Sequence, residues 1–485
     1  MPDELWSHQA KEVAEHTWEP GWFLFWDPRT GKSRPIVLEM AHWISSGIKR
    51  ILLVAPLDAC KVWLKPDELG RFDSNKVVVM NLADSSESMA ERSTQLAFNE
   101  YADLPCIVVV NRDVIFKERL THDGTKTLTG LQKALKRWGP QALVLDECHD
   151  YRKISSKRAR AAEALAKSAI YRRGLSGTPD PTSYIDFYSM FKIICPKVFS
   201  TRKKDFQERY CEMSYLFPNK VDRYKNVDEL QAKIFSRCTR VRQSDCFDMP
   251  TVLPDIVVDA PFTKLARELY TELSQEHVAN FFGIDLNATH QLARLTMLHQ
   301  LAQGFVRDED NPEWVFDGKI KAAHRYIEEM MRADKRIVVY HHYKPEGQRL
   351  YDECVQKYGL ERVGSLHGGT AGSARSPHPF LDRPAMRVFI AQEKTAQVSI
   401  SLRESDHVLW YSWGPESDVN YQARQRIFAD RALKPHGLSY TFLRVPSTAD
   451  DFMTLAYKTK QSRSDLLLNF GYARCAAGAV PAGTG

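Results

Sequence analysis

The sequence predicts an α/β fold built from two parallel-sheet domains in tandem. Short apolar runs alternate with helix-like stretches in two blocks, one reaching about residue 177 and the other beginning near residue 336. Continuous β-branched runs bounded by turns are typical of strands buried on both faces, as in parallel sheets. In the first block these runs are Trp22–Trp26, Ile51–Pro56, Val77–Met80, Ile107–Val110 and Leu143–Leu145. In the second block they are Arg336–Tyr340, Val388–Ile390, Val408–Tyr411 and Tyr440–Leu443.

The stretch between the two blocks has a different character. It is charged and irregular from Pro196 to about Asp245, and leucines then recur at helical spacing between Gln291 and Phe305. We therefore expect four parts: a first domain at 1–195, a helical insertion and linker at 196–318, a second domain at 319–470 and a flexible tail at 471–485.

Composition indicates a globular protein. Of 485 residues, 43% are hydrophobic and 26% are charged, which excludes a disordered chain. The net charge of +6 is compatible with a polyanionic partner. Nine cysteines without a C-x-x-C pair indicate reduced thiols rather than a zinc site. No apolar run approaches membrane-spanning length and no secretory pattern opens the chain, so we expect a cytoplasmic protein.

A candidate phosphate loop, Asp27-Pro28-Arg29-Thr30-Gly31-Lys32-Ser33, follows the first apolar run and precedes a helix-like stretch. In that context backbone amides and a helix N-terminus can hold phosphates, Lys32 can reach the β and γ oxygens, and the Ser33 hydroxyl can bind magnesium. Trp26 stands where the first glycine of the usual pattern belongs, so an ordinary loop is the alternative interpretation.

Two carboxylates end a later β-rich run, Leu143-Val144-Leu145-Asp146-Glu147-Cys148-His149. Asp146 would hold the metal ion and Glu147 would orient the attacking water, although an acidic pair after a strand is also common as a solvated strand end. The order and context of the two motifs together predict a nucleoside triphosphatase.

Two α/β blocks of which only the first has a phosphate loop resemble the superfamily 2 helicase and translocase core, in which ATP lies between two RecA-like domains. Further motifs resemble those of that family. They are Leu5-Trp6-Ser7-His8-Gln9, Leu53-Val54-Ala55-Pro56 with Trp63, Leu175-Ser176-Gly177-Thr178-Pro179, and Tyr421-Gln422-Ala423-Arg424-Gln425-Arg426-Ile427. Within the superfamily, the stretches 226–250 and 291–305 and the run Trp410-Tyr411-Ser412-Trp413 resemble a compact Swi/Snf-like ATPase of phage or prokaryotic type.

This resemblance implies a set of site residues. The implied catalytic residues are Glu147, Lys32, Gln422 and Arg426, with Arg426 as the arginine finger. The implied ATP-binding residues are Gln9, Arg29, Thr30, Gly31, Lys32, Ser33, Arg34 and Asp146. Ser33 and Asp146 are the implied ligands of the Mg²⁺ ion that accompanies ATP. The residues implied to couple the ATP state to nucleic-acid binding are His149, Ser176 and Thr178. The implied nucleic-acid contacts are Pro56, Asn111, Arg152 and Lys153, although the basic run from Arg152 is also typical of a solvated helix face.

The second block departs from the family pattern. Phe428 and Ala429 stand where relatives usually carry a second arginine, and Ser399 stands where they carry a glycine. These changes put the coupling of ATP hydrolysis to movement in doubt more than ATP binding itself.

Three functions stay open. The first is an ATP-dependent translocase or helicase that acts as a monomer on duplex or forked DNA, without sequence preference because it contacts the backbone. The second is a strand-separating helicase on DNA or RNA. The third is a degenerate ATP-binding module that recruits a partner and turns over little ATP.

Overall fold

The computed structural model of the protein describes residues 5–83, 88–99, 103–116, 118–120, 126–128, 130–177, 184–215, 221–246, 250–268, 270–271, 288–306, 312–367, 376, 378–396, 400–415, 417–428, 432–434 and 437–459. The chain divides into two compact units, Met1–Cys246 and Phe247–Gly485. Thr178, Ser399, Ala429 and the expected tail at 471–485 lie outside the described residues.

The first unit is a parallel sheet with helices. Its strands are β1 Gly21–Trp26, β2 Arg50–Ala55, β3 Val78–Asn81, β4 Cys106–Asn111, β5 Glu118–Leu120, β6 Lys126–Leu128, β7 Ala142–Leu145, β8 Tyr171–Ser176, β9 Cys211–Met213, β10 Val221–Tyr224 and β11 Cys238–Val241. Its helices are α1 Ser7–His16, α2 Ser33–Ser45, α3 Leu57–Trp63, α4 Met89–Asn99, α5 Gly130–Trp138, α6 Lys157–Ala166, α7 Tyr184–Ile194, α8 Lys203–Tyr210, α9 Val227–Phe235 and α10 Gln243–Cys246, with short 3-10 helices at Leu69–Arg71 and Cys148–Tyr151.

The seven-stranded sheet of this unit has the order β11-β1-β8-β7-β2-β4-β3, and every pairing in it is parallel. All six residues of β1 are buried. Its side chains alternate between two apolar clusters: Phe23 and Phe25 belong to one, and Trp22, Leu24 and Trp26 to the other. Because successive side chains of a strand point to opposite faces, the sheet has a core on each side, as the continuous apolar run predicts.

The second unit has a similar construction. Its strands are β12 Ile256–Asp259, β13 Phe305–Val306, β14 Glu313–Trp314, β15 Ile337–His341, β16 Val363–Leu366, β17 Val388–Gln392, β18 His407–Trp410 and β19 Tyr440–Arg444. Its helices are α11 Ala288–Gln303, α12 Gly318–Arg332, α13 Lys344–Tyr358, α14 Pro379–Asp382, α15 Glu393–Ala396, α16 Ser417–Gln425 and α17 Ala449–Thr459. Its six-stranded parallel sheet has the order β12-β19-β18-β15-β17-β16.

The two sheets have the same topology. When the strands of each sheet are counted along the chain, leaving β11 aside, both sheets have the spatial order first, sixth, fifth, second, fourth, third. In this order β12 is the counterpart of β1, β15 of β2, and β18 of β7. The predicted fold class, α/β with two RecA-like parallel-sheet domains in tandem, is therefore confirmed.

The predicted domain bounds stay a prediction. The compact units meet inside the expected linker at 196–318, whose first part supplies β11 to the first sheet and whose second part supplies β12 to the other. Among the described residues, no helix is both long and apolar enough to cross a membrane.

Candidate functional site

The loop from Asp27 to Ser33 connects the end of β1 to the start of α2. Arg29 and Gly31 both have left-handed backbone angles, with φ of 68° and 73°. That conformation costs a non-glycine residue about 1–2 kcal/mol. Gly31 is followed by Lys32 in right-handed geometry, and such a pair is the backbone pattern of an anion-binding nest.

Two glutamines from distant parts of the chain hold this loop. Gln9 on α1 is buried, and its Nε2 donates to Gly31 O at 3.0 Å. A Cβ on Gly31 would lie 2.3 Å from the same nitrogen, and the φ of 73° strains any side chain at this position, so glycine is favoured there. The backbone N–H of Gln243 donates to Asp27 Oδ2 at 3.1 Å, and its side-chain Nε2 donates to Pro28 O at 2.7 Å. Gln243 is a supporting residue that the sequence motifs do not identify.

Further loop contacts involve Thr30. The Thr30 hydroxyl, on a fully buried residue, donates to Asp27 O at 2.8 Å. His8 Nε2 lies 2.9 Å from Thr30 O. The helix α1, on which His8 and Gln9 lie, therefore contacts the loop at Thr30 and Gly31 and supports it. The predicted role of Gln9 in ATP binding stays a prediction, as do nucleotide contacts of Arg29, Thr30 and Arg34.

Lys32 lies where the ends of β1 and β8 meet. Its ammonium donates to Trp26 O at 2.8 Å and to Asp27 O at 3.2 Å. A Cβ on Gly177, directly after β8, would lie 3.5 Å from the ammonium nitrogen and 3.1 Å from Pro28 Cγ. The glycine of the Ser-Gly-Thr-Pro motif thus leaves room for the loop and for the lysine.

Ser33 is the first residue of α2, and its hydroxyl donates to Glu68 Oε1 at 2.5 Å. The other carboxylate oxygen of Glu68 is buried and has no hydrogen-bond partner among the described residues. Burial raises the pKa of Glu68, and the hydrogen bond from Ser33 opposes that rise. Glu68 is a second residue that the motifs do not identify, because the contact joins positions 35 residues apart.

Asp146 and Glu147 follow β7 directly. Asp146 Oδ2 accepts a hydrogen bond from the indole N–H of Trp63 at 2.9 Å, and Oδ1 accepts one from the Glu147 backbone at 3.0 Å. Burial and repulsion by Glu147 raise the pKa of Asp146 to about 6, while the Trp63 hydrogen bond and the charge of Lys32 lower it. A cation bound nearby would favour the ionised form of this carboxylate.

His149 connects the ends of β7 and β8. Its Nδ1 lies 3.1 Å from the Ser176 hydroxyl and 3.3 Å from Glu147 Oε2. The structure therefore brings together two of the predicted coupling residues and the predicted catalytic carboxylate. The third coupling residue, Thr178, lies outside the described residues.

The predicted nucleic-acid contacts lie at the same edge of the sheet. Pro56 follows β2 and Asn111 ends β4, and these two strands are paired in register at their ends. Lys153 is exposed and Arg152 is half-buried, in the segment before α6. In the basic run that continues onto this helix, Arg158 pairs with Asp113 at 2.7 Å, so its charge is engaged within the fold.

Gln422 and Arg426 lie in the second unit. Gln422 is buried on α16, and Arg426 follows the last turn of that helix. The backbone of Arg426 donates to Ala423 O at 3.2 Å and accepts from Leu402 N at 2.9 Å, which holds its Cα in place. Their catalytic roles stay predictions.

The first-unit residues fit a magnesium–nucleoside triphosphate. A backbone nest, a lysine ammonium, a hydroxyl and carboxylates are the donors that phosphates and a hard cation require. No three His, Cys, Asp or Glu side chains converge as a metal site among the described residues. Magnesium in such sites is typically held by one or two carboxylates together with the substrate's phosphates.

Two RecA-like sheets, with a phosphate-loop pattern on the first only, define a class of tandem α/β proteins. A family model places the chain within it: residues 9–307, more than half of the sequence, match the SNF2-related domain. The protein belongs to the SNF2-related domain family.

Individual relatives are distant. The chain is 22% identical over 330 residues to the "SWI/SNF-related matrix-associated actin-dependent regulator of chromatin subfamily A-like protein 1" of Xenopus tropicalis, covering 64% of this chain and 32% of that protein. It is 21% identical over 392 residues to the "Probable chromatin-remodeling complex ATPase chain" of Oryza sativa subsp. japonica, covering 77% and 32%. The chain thus spans about a third of the length of these curated relatives.

Among solved structures, the protein is similar to the "Sulfolobus solfataricus SWI2/SNF2 ATPase core in complex with dsDNA". The two share 17% identity and a TM-score of 0.41, over 97% of this chain and 94% of that one. The family assignment rests on the family model and not on this weak similarity.

Proposed function

We propose that the protein hydrolyses ATP with Mg²⁺ and uses the energy to move along DNA without reading its sequence. The observation that carries this proposal is that polar side chains of the required kinds lie at the ends of three neighbouring strands, at one edge of the first sheet. They are Lys32 after β1, Asp146 and Glu147 after β7, and Ser176 as the last residue of β8. Membership of the SNF2-related family supports it.

In this proposal Lys32 binds the β and γ phosphates through its ammonium, and the loop amides bind the phosphate oxygens. Ser33 and Asp146 would hold the magnesium ion, which when bound would supply positive charge that offsets the charge of the phosphates. Binding of ATP would also require the Lys32 ammonium to exchange the carbonyls of Trp26 and Asp27 for phosphate oxygens.

Glu147 orients the attacking water, and its left-handed backbone, with φ of 50°, is a strained feature often found at functional sites. His149 lies between Glu147 and Ser176, so a change at the carboxylate can reach the end of β8. We propose that this contact, together with Thr178, transmits the ATP state to the nucleic-acid contacts. Arg426, as the arginine finger, and Gln422 are the other two residues of the proposed catalytic set.

DNA is the proposed track because two relatives carry chromatin names. Pro56, Asn111, Arg152 and Lys153 would contact the backbone. Contacts to phosphates carry no sequence information, so binding should be non-specific and salt-dependent.

Displacement of a third DNA strand from a triplex tests this function. A protein that moves along duplex DNA strips off a short third strand, whereas a strand-separating helicase opens a forked substrate. We expect the wild type to displace the third strand with ATP but not with a non-hydrolysable analogue. Lys32→Ala should fail, and Lys167→Ala, which removes an exposed lysine before β8, should behave as the wild type.

Other outcomes would contradict the proposal. Opening of the fork without triplex displacement would identify a helicase, and stimulation by RNA alone would change the track. ATP binding without hydrolysis on any polymer would identify the recruitment module.

A further inference from the structure

One segment of the first unit contacts both residues that are proposed to hold magnesium. It begins after Pro56 with α3, continues through Leu64–Glu68 and ends in the 3-10 helix Leu69–Arg71. Trp63, at the end of α3, donates its indole N–H to Asp146 Oδ2 at 2.9 Å. Glu68, five residues later, accepts the Ser33 hydroxyl proton on Oε1 at 2.5 Å.

The segment is anchored in the fold. Cys60, Trp63 and Leu69 are buried in the apolar cluster on one face of the sheet. The backbone turn between α3 and the 3-10 helix is closed by hydrogen bonds from Glu68 N at 3.1 Å and Gly70 N at 3.0 Å, both to Lys65 O. Because the backbone on both sides of Glu68 is held, its carboxylate is presented to Ser33 in a defined position.

The two hydrogen bonds orient the oxygen atoms that would bind a cation. A serine hydroxyl has one proton and two lone pairs, and donation of the proton to Glu68 leaves the lone pairs of Ser33 Oγ free to bind a metal. Each oxygen of the Asp146 carboxylate accepts one hydrogen bond, from Trp63 or from the Glu147 backbone, and keeps a further lone pair. The Glu68 carboxylate also brings a negative charge next to the hydroxyl ligand.

We propose that Trp63 and Glu68 are positioning residues for the magnesium site, Trp63 by orienting Asp146 and Glu68 by orienting Ser33. This inference rests on the proposed function and deepens it. Partners of metal ligands usually matter nearly as much as the ligands, and their loss typically lowers metal affinity by about 10–100-fold. The Oε2 atom of Glu68, which is buried and has no hydrogen-bond partner among the described residues, is a second observation that points to a bound cation or its water.

The inference predicts a defect in metal binding that is separate from nucleotide binding. A fluorescent ADP analogue is titrated onto the protein in EDTA and in excess Mg²⁺, and the ratio of the two Kd values gives the gain in affinity due to the metal. We expect Glu68→Ala and Trp63→Phe each to lower that gain about tenfold and to leave the Kd in EDTA unchanged. Glu68→Gln keeps the acceptor but removes the charge, so its defect should be smaller.

Two matched variants serve as controls. Asp67→Asn removes one charge at the exposed residue beside Glu68, and Trp138→Phe removes an indole N–H that is buried but has no partner among the described residues. Both should keep the wild-type gain. Thermal unfolding of each variant verifies that it folds. The near-isosteric Glu68→Gln and the aromatic Trp63→Phe retain the test if Glu68→Ala does not fold.

The outcomes separate this inference from the proposed function. If the wild type gains affinity with Mg²⁺ and the Trp63 and Glu68 variants gain as much, the inference is wrong and the proposed function stands. A larger gain in Glu68→Ala would also overturn it, because Glu68 would then compete with the metal for Ser33. If the wild type binds no nucleotide, both are wrong.

Discussion

The two sheets share one strand order, but the residues that follow their strands differ in kind. After β1 the first unit has the loop that contains Lys32 and Ser33, whereas after β12 the second has Ala260 and Pro261. After β7 come Asp146 and Glu147, whereas after β18 come Tyr411 and Ser412. The fold alone therefore does not make a nucleotide site.

The polar groups at the edge of the second sheet bind one another instead. Glu346 Oε1 accepts from the backbone of His342 and of Tyr343 at 2.9 Å each, and from the Ser412 hydroxyl. Glu393 pairs with His342 at 2.5 Å. Where the first unit has a loop suited to an external anion, the second unit supplies its own carboxylates to the N–H groups after β15.

The largest expected effect is on the stability of the second unit, where buried polar groups bind one another. Asp450 is fully buried, pairs with Lys319 at 2.6 Å and accepts from Val445 N at 2.9 Å. Asp450→Ala leaves a buried ammonium without its counter-charge, so we expect it to destabilise the second unit by about 3–5 kcal/mol. Urea unfolding followed by hydrogen exchange in β19 measures this, with the exposed Asp352→Ala as the control. A loss of stability below about 1 kcal/mol would contradict a structural role for the buried pair of Asp450 and Lys319.

The matching prediction for the first unit concerns turnover. Glu147→Gln should lower ATP hydrolysis by at least about 10²-fold, roughly 2.7 kcal/mol, because the attacking water loses its orienting carboxylate. ATP binding and the stability of the first unit should be nearly unchanged, in contrast to Asp450→Ala. Steady-state hydrolysis and nucleotide titration test both parts. Wild-type turnover in this variant would remove Glu147 from the mechanism.

The units should also respond to pH with opposite signs. In the first unit, burial raises the pKa of Glu12 to about 8 and that of Asp146 to about 6. Carboxyls with raised pKa bind more protons in the folded state, so this unit should gain stability as pH falls from about 8 to about 5.

In the second unit, burial lowers the pKa of His299 and of His341 to about 4, while it raises that of Glu346 to about 7. The two histidines bind fewer protons in the folded state than in the unfolded state, and the one carboxyl binds more, so the unfolded state binds up to about one proton more. The free energy of unfolding of this unit should therefore fall by up to about 1.4 kcal/mol per pH unit as pH falls from about 6.5 to about 4.5. Urea unfolding is carried out at two pH values, and the unfolded fraction of each unit is measured by pulses of hydrogen exchange at one fixed pH. This checks the sign of the pH dependence of stability in both units. Glu12→Gln should flatten the response of the first unit alone.

The smallest expected effect concerns the nucleic-acid contacts. If the exposed Lys153 binds a phosphate, Lys153→Gln should reduce the slope of log affinity against log salt by about 0.9. Arg158→Gln should change it less, because Arg158 is paired with Asp113 and Asp150. Equal slopes for Lys153→Gln and the wild type would exclude Lys153 from the interface.

Apolar strands were predictable from the sequence because burial on both faces leaves a continuous apolar run. The runs at Ile51–Pro56, Ile107–Val110 and Val388–Ile390, for example, correspond to β2, β4 and β17. The strand β8 gave no such signal, because its central Arg173 is fully buried only through an ion pair with Glu39 on α2. A charged residue in a strand is recognisable as internal only when its partner is known.

The candidate site was predictable in part for a related reason. Lys32, Ser33, Asp146 and Glu147 lie within short motifs whose spacing is fixed by a single strand and the turn after it. Their supporting residues are remote: Gln243 contacts the loop from 215 residues away. Such contacts depend on tertiary packing, so the spacing of residues within a motif does not predict them.

The most direct test is steady-state ATP hydrolysis with duplex DNA by the wild type, Lys32→Ala and the control Lys167→Ala. We predict hydrolysis that duplex DNA stimulates in the wild type and in Lys167→Ala, and that is abolished in Lys32→Ala. Equal hydrolysis by Lys32→Ala and the wild type would contradict the assignment of the nucleotide site to the edge of the first sheet.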